Sequence, residues 1–181
     1  KEHLRHVVSR AAFDIEGLGE KQIEYFFEDA DLPVKTPADI FTLAERDAAK
    51  GHILKSREGF GAVSVRNLFA AIEARRPIEL TRFINALGIR HVGETTARVL
   101  ARAYGSWGAF HDAALAVAKG DVAAREEMDA VDQIGETVVD AVGRYFGESH
   151  NRALVEALAA QVRIEDAVRA ATDSPVAGKT V

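Results

Sequence analysis

The sequence predicts an all-α fold, and three observations carry that prediction. A short signature closing on glycine recurs four times: Glu16-Gly17-Leu18-Gly19, Glu58-Gly59-Phe60-Gly61, Arg90-His91-Val92-Gly93 and Asp132-Gln133-Ile134-Gly135. Apolar or small residues follow each closing glycine at four and seven positions: Ile23 and Phe26, Val65 and Leu68, Ala97 and Leu100, Val139 and Val142. That spacing is one face of a helix opening just past the glycine. The third observation is that no stretch alternates apolar and polar residues as a half-buried strand would. The closing glycines are 42, 32 and 42 residues apart, which predicts a duplicated pair rather than a uniform array.

The remaining elements follow in chain order. Thr36 is an N-cap with Pro37 at the first helical position and Asp39 in the first turn; the helix behind them buries Ile40, Phe41 and Leu43 and stops near Gly51. The helix after the second signature runs from about residue 62 to 76 and ends at Pro77. Leu80, Phe83, Ile84 and Leu87 recur at helical spacing, with Gly88 as the stop. Ser106 caps a helix reaching about Lys119, and Asp121 starts another. Gly147 breaks the chain before a last helix over about residues 149–161.

Each signature has a simple physical reading. Glycine permits a left-handed or tightly turned backbone that a side chain would obstruct. The helix begins at once, so its first amides have no intrahelical partner, and with the helix dipole they make an anion site. Leu18, Phe60, Val92 and Ile134 are placed to turn inward and pin the loop to the core. Copies one and two carry both glycines; His91 and Gln133 replace the first glycine in copies three and four.

Composition narrows the classes. The 181 residues are 48% hydrophobic, enough for a core in one domain or two joined halves. No apolar run is long enough to cross a membrane and no signal peptide is seen; the chain has no cysteine, which points to a reducing cytoplasm and excludes thiolate metal sites. His3 and His6 are the one helix-spaced histidine pair, with no carboxylate placed to complete a metal site. The net charge of −5 opposes phosphate binding, but it is unevenly spread. Between Ile53 and Arg102, nine bases (Lys55, Arg57, Arg66, Arg75, Arg76, Arg82, Arg90, Arg98 and Arg102) face four acids (Glu58, Glu73, Glu79 and Glu94). That stretch carries +5 and contains signatures two and three; the rest of the chain carries −10.

Four copies of a Gly-rich turn, each opening an amphipathic helix, resemble the helix-hairpin-helix motif, which grips nucleic-acid backbones without reading sequence. Longer strings resemble one family more closely. "LRHVVSRAAFDIEGLGEKQIEYF", "LKSREGFGAVSVRNLFAAIEARR" and "FINALGIRHVGETTARVLA" are similar to the helix-hairpin-helix domain of bacterial NAD-dependent DNA ligases, over nearly the whole chain. The resemblance implies a DNA-clamping domain over residues 1–161 of an enzyme that seals nicks in replication and repair. It also implies a four-cysteine zinc module before this region and a BRCT domain after it. Residues 162–181 are expected to be a linker and the truncated opening strand of that BRCT domain, "PVAGKTV", so the chain reads as a fragment. NAD, a divalent metal such as Mg and the Zn are implied for the full-length enzyme, with no cofactor held by the fragment.

No catalytic reading competes. The family adenylates a lysine in a Lys-x-Asp-Gly motif, which is missing here, so the fragment is expected not to ligate alone. Gly178-Lys179-Thr180 suggests a phosphate loop but has Asp173 where that motif needs glycine. The expected partner is therefore nicked double-stranded DNA, bound by a monomer alongside the other ligase domains. The amides around Gly59–Ala62 and Gly93–Thr96 are expected to hold phosphates on two strands across a minor groove. Phe60 and Gly61 complete the second turn, and His91 stands in the third; Arg57, Arg66, Arg90 and Arg98 add charge, and Thr95 and Thr96 add hydroxyl donors. Gly17 and Gly19 in the first turn, with Gly135 and Thr137 in the fourth, sit among acids and are expected to contribute less, Lys21 excepted. The alternative is a protein-interaction scaffold of degenerate repeats, with Trp107, Phe110 and Leu115 as its apolar candidates; a junction-binding or repair-nuclease module is a further one.

Overall fold

The computed structural model describes residues 2–167. They form eleven helices in the order α1 (Glu2–Val7), α2 (Glu20–Phe27), α3 (Pro37–Phe41), α4 (Leu43–Ala49), α5 (Ala62–Ala74), α6 (Leu80–Ala86), α7 (Glu94–Tyr104), α8 (Trp107–Ala118), α9 (Val122–Asp129), α10 (Glu136–Gly147) and α11 (Ser149–Gln161). A 3-10 turn, Leu54–Ser56, precedes the second signature. The eight residues expected on the inner helix faces, from Ile23 to Val142, are all buried. Leu18, Val92 and Ile134 are buried between their glycines as expected, while Phe60 is half-buried.

The caps explain several boundaries. The Asp39 carboxylate accepts the amides of Thr36 and Lys35 at 3.1 and 3.0 Å, fixing the start of α3. The single helix expected up to Gly51 is instead two, broken at Thr42 between α3 and α4. Ser106 accepts the Ala109 amide and Asp121 the Ala124 amide, starting α8 and α9 where the sequence placed them.

The fold is mostly helical, yet the expectation of no strand is corrected. β1 (Pro77–Glu79) and β2 (Arg163–Glu165) pair in parallel, Ile78 opposite Ile164. Three residues are too few to display an alternation, and Pro77 sits at a strand's first residue, where its missing N–H costs least. The first residues of the expected linker are thus part of the fold: Ala167 also donates its amide to Gly105 at 2.8 Å. The remainder of that linker and the expected BRCT strand lie outside the described residues.

The core is continuous from one half to the other. Rings step through it from Phe41 to Phe13 (5.3 Å), Phe83 (6.4 Å) and Trp107 (4.8 Å), then Phe110 and Phe146. Arg76 ties three segments together. Its guanidinium donates to the Phe41 and Gln161 carbonyls at 2.6 Å each and to Glu73 at 2.7 Å, while its own carbonyl accepts the Arg163 amide. Trp107, Phe110 and Leu115, the apolar candidates for a scaffold face, serve this core: Phe110 is fully buried and the other two pack against the buried cluster.

Candidate nucleic-acid interface

The four signatures fold into the same turn. The residue two before the closing glycine has a left-handed backbone in each: Gly17 at φ 92°, Gly59 at 86°, His91 at 67° and Gln133 at 72°. The next residue's amide donates back three positions in each: Leu18 to Ile15, Phe60 to Arg57, Val92 to Ile89 and Ile134 to Val131. The closing glycine is then the N-cap of α2, α5, α7 or α10 and accepts the first helical hydrogen bond. His91 and Gln133 therefore adopt the glycine conformation, although side chains make it costly by about 1–2 kcal/mol.

The caps separate these helices from their neighbours. Where α8 and α9 have a side-chain oxygen on an N-terminal amide, the four helices behind the turns have none. Their leading amides are left for an outside acceptor. The glycines point the same way. Gly61, Gly93 and Gly135 have extended backbones that any residue adopts, and a Cβ there would meet no described non-neighbouring atom within 4 Å. Among the described residues nothing requires glycine at these three positions.

Charge grades the four sites. The first turns of α2, α7 and α10 begin with Glu20, Glu94 and Glu136, whereas α5 begins Ala62-Val63-Ser64 with no acid. An anion at α5 meets the helix dipole unopposed. Arg66 is exposed one turn further on, and Arg90 and His91 are exposed in the third turn; none of the three forms an ion pair among the described residues. Arg98 is paired with Glu94 at 3.5 Å and so offsets that acid. Thr95 and Thr137 are exposed, Thr96 half-buried, and Lys21 exposed on α2.

Arg57 is placed differently from the other arginines. Its guanidinium is committed to Asp29 at 2.5 Å, Asp31 at 3.1 Å and the Tyr25 hydroxyl at 3.2 Å, and its side chain is only 19% exposed. Hydrogen bonds to Tyr25 and Asp29 raise its pKa. Burial pushes the Asp29 carboxyl up, but the Leu32 amide and Arg57 outweigh it and hold the group below its usual value. Arg57 braces the second turn against the Asp29–Asp31 loop. The sequence could not show this because its partners lie 26 and 28 residues away.

Three residues that the sequence did not single out also sit here. Gln22, Ser64 and Asn67 line a groove of about 520 Å³ between the first two turns, bounded by Gly17 and Gly59. The two turns meet across it: Phe60 packs on Tyr25 and Phe26 of α2, and Leu68 of α5 lies against Gly17. Neutral side chains off the apolar stripe leave no mark in charge or periodicity.

A family model described as a helix-hairpin-helix motif matches residues 82–155, which hold the third and fourth turns. The chain is 68% identical over 180 residues to a DNA ligase of Chelativorans sp. (strain BNC1), covering 99% of this chain and 26% of that protein. It is 62% identical over 180 residues to a DNA ligase of Bradyrhizobium diazoefficiens, covering 99% of this chain and 25% of that one. A DNA ligase of Maricaulis maris is 58% identical over 184 residues, covering 100% and 26%. The chain spans about a quarter of the length of these curated relatives.

Proposed function

We propose that this chain, a relative of DNA ligases along 99% of its length and across about a quarter of theirs, is the part of such an enzyme that grips duplex DNA by its backbone. One observation carries the reading: the helices behind the four turns start with uncapped amides, three of them beneath a glycine whose missing side chain the protein itself has no use for. Phosphate oxygens are acceptors of the right charge for those amides, and such contacts position a duplex without reading its sequence.

On this reading the four turns are four helix-hairpin-helix motifs in a duplicated pair. The second and third hold phosphates on opposite strands across a minor groove, helped by Arg66, Arg90, Arg98, Thr95 and Thr96. The first and fourth contribute less, through Lys21 and Thr137, because Glu16, Glu20, Asp132 and Glu136 surround them. Arg57 acts from behind by holding the second turn.

The parent enzyme would be an NAD-dependent ligase sealing nicks in replication and repair in the bacterial cytoplasm. The residues here do not fit its cofactors. There is no cysteine for zinc and no Lys-x-Asp-Gly for adenylation. The nearest string, Lys119-Gly120-Asp121-Val122, is the turn between α8 and α9, where Asp121 is occupied as a cap. The chain therefore binds and positions and does not ligate by itself.

The test is anisotropy of a fluorescent nicked duplex titrated with this chain across a salt series. Each phosphate contact contributes a slope of about −0.9 in log affinity against log salt, so a slope of roughly −2.7 or steeper supports the reading. Absence of binding at low salt overturns it in favour of a protein-interaction scaffold.

A further inference from the structure

The groove between the first two turns has a chemistry that phosphate binding does not use. Gln22 enters it from α2; Ser64 and Asn67, three positions apart on one face of α5, enter from the other side. None of the three side chains makes a hydrogen bond within the described residues, and Ser64 and Asn67 are exposed. The floor between them is apolar, formed by Phe60, Leu68 and Ala71.

We infer that this groove takes the minor-groove edge of the duplex, with Gln22, Ser64 and Asn67 bonding to base and sugar atoms rather than to phosphates. The inference rests on the reading of the flanking turns as backbone-binding. It extends that reading to the first turn: if the first turn, like the third, holds a phosphate on the strand opposite the second's, the groove between the first two faces the edge that lies between those phosphates.

The side-chain chemistry selects the occupant. Glu16 also lines the groove, and its carboxylate repels a phosphate seated there more strongly than it repels the uncharged base and sugar edge. Every base pair shows acceptors in the minor groove, and G·C adds an amino donor. A side-chain amide carries both a donor and an acceptor, so Gln22 and Asn67 satisfy either kind of pair without preferring one. The apolar floor suits the flat faces of deoxyribose. The second pair of turns lacks the feature: 74 residues on, Gln22, Ser64 and Asn67 become Thr96, Val138 and Ala141, and Ala141 is buried.

Asn67→Ala, Gln22→Ala and their double variant test this, titrated with the nicked duplex over the same salt series and compared with Arg66→Ala. Loss of a neutral hydrogen bond is expected to weaken binding about three- to tenfold per site, with the salt slope unchanged because no counterion is released. Arg66→Ala is expected to make the slope shallower by about 0.9. A shallower slope for Asn67→Ala would make it a phosphate contact and overturn the assignment. Unchanged affinity in the double variant would leave the backbone reading standing and remove the groove from the interface. A wild-type chain without salt-dependent binding would overturn both. Melting temperatures within a degree or two of wild type are expected, since the changes leave the core intact.

Discussion

In the first pair of turns glycine holds both left-handed positions, at φ 92° and 86°; in the second, His91 and Gln133 hold them at 67° and 72°. The closing glycines, by contrast, stand in all four turns although their backbones need no glycine. The pairs therefore differ at the left-handed position and agree at the closing one, where the backbone alone does not select glycine. Packing on either side forces the turn: Val92 and Ile134 are buried immediately after the substituted residues and pin them. The side chains of His91 and Gln133 point to solvent, so the cost is confined to the backbone.

The largest expected effect comes from separating the two pairs. Arg76→Ala removes the guanidinium donors from the Phe41 and Gln161 carbonyls, while the backbone carbonyl at 76 still accepts the Arg163 amide of β2. Hydrogen bonds from a charged donor contribute roughly 1.5–3 kcal/mol, so a loss of about 3 kcal/mol is expected. At this chain length that lowers Tm by roughly 6–12 °C in a thermal melt. An unchanged Tm would mean that the apolar core alone joins the halves.

Next comes the interface itself. Gly61→Val and Gly93→Val should each cost about tenfold or more in duplex affinity, near 1.4 kcal/mol, because the new side chain stands over the amides. Gly135→Val should cost less than about threefold, since Glu136 already weakens that site. All three should stay folded, as a Cβ at these positions meets nothing nearby, with Tm lower by a few degrees at most because valine caps a helix less well than glycine. Equal losses at Gly93 and Gly135 would show that local charge does not rank the turns.

The opening residue of each turn gives a smaller effect of opposite sign in the two pairs. Gly59→Ala places a side chain at φ 86° and should destabilise by about 1 kcal/mol. His91→Gly relieves the same cost, partly offset by the freer unfolded chain, and should stabilise by up to about 1 kcal/mol. Urea unfolding of both variants checks this. A destabilised His91→Gly would assign the imidazole a contact that outweighs its backbone cost.

These contrasts mark what the sequence could and could not carry. Positions four and seven after each closing glycine, such as Val65 and Leu68, read directly because burial on a helix repeats with the chain. The caps Ser106 and Asp121 read directly because they act on amides three residues away. Arg57 did not, since an arginine beside a turn looks the same whether it faces solvent or Asp29. Nor did β2, whose pairing with β1 is made across 86 residues of chain. Gln22, Ser64 and Asn67 meet only when α2 and α5 pack, so their shared groove has no linear signature. Fold signals here were local and periodic; much of the site is neither.

The smallest effect concerns the corner ahead of each pair. In the first pair Asp14, with a left-handed backbone, is tied to Arg75 by an ion pair at 3.6 Å. Its counterpart 74 residues later is Gly88, which is covered instead by His3 and His6 of α1, bonded to the Ala86 and Asn85 carbonyls. Burial, aided by the nearby His6, lowers the His3 pKa below 6.5, against the pull of the Ala86 and Leu87 carbonyls. Between that lowered value and 6.5 the unfolded chain takes up a proton that the folded chain does not. The stabilisation is complete above pH 6.5, falls as pH drops toward the folded value, and levels off below it. Melts between pH 7.5 and 5 should show a modest decline in Tm that His3→Gln reduces. A parallel decline in wild type and variant would place the proton elsewhere.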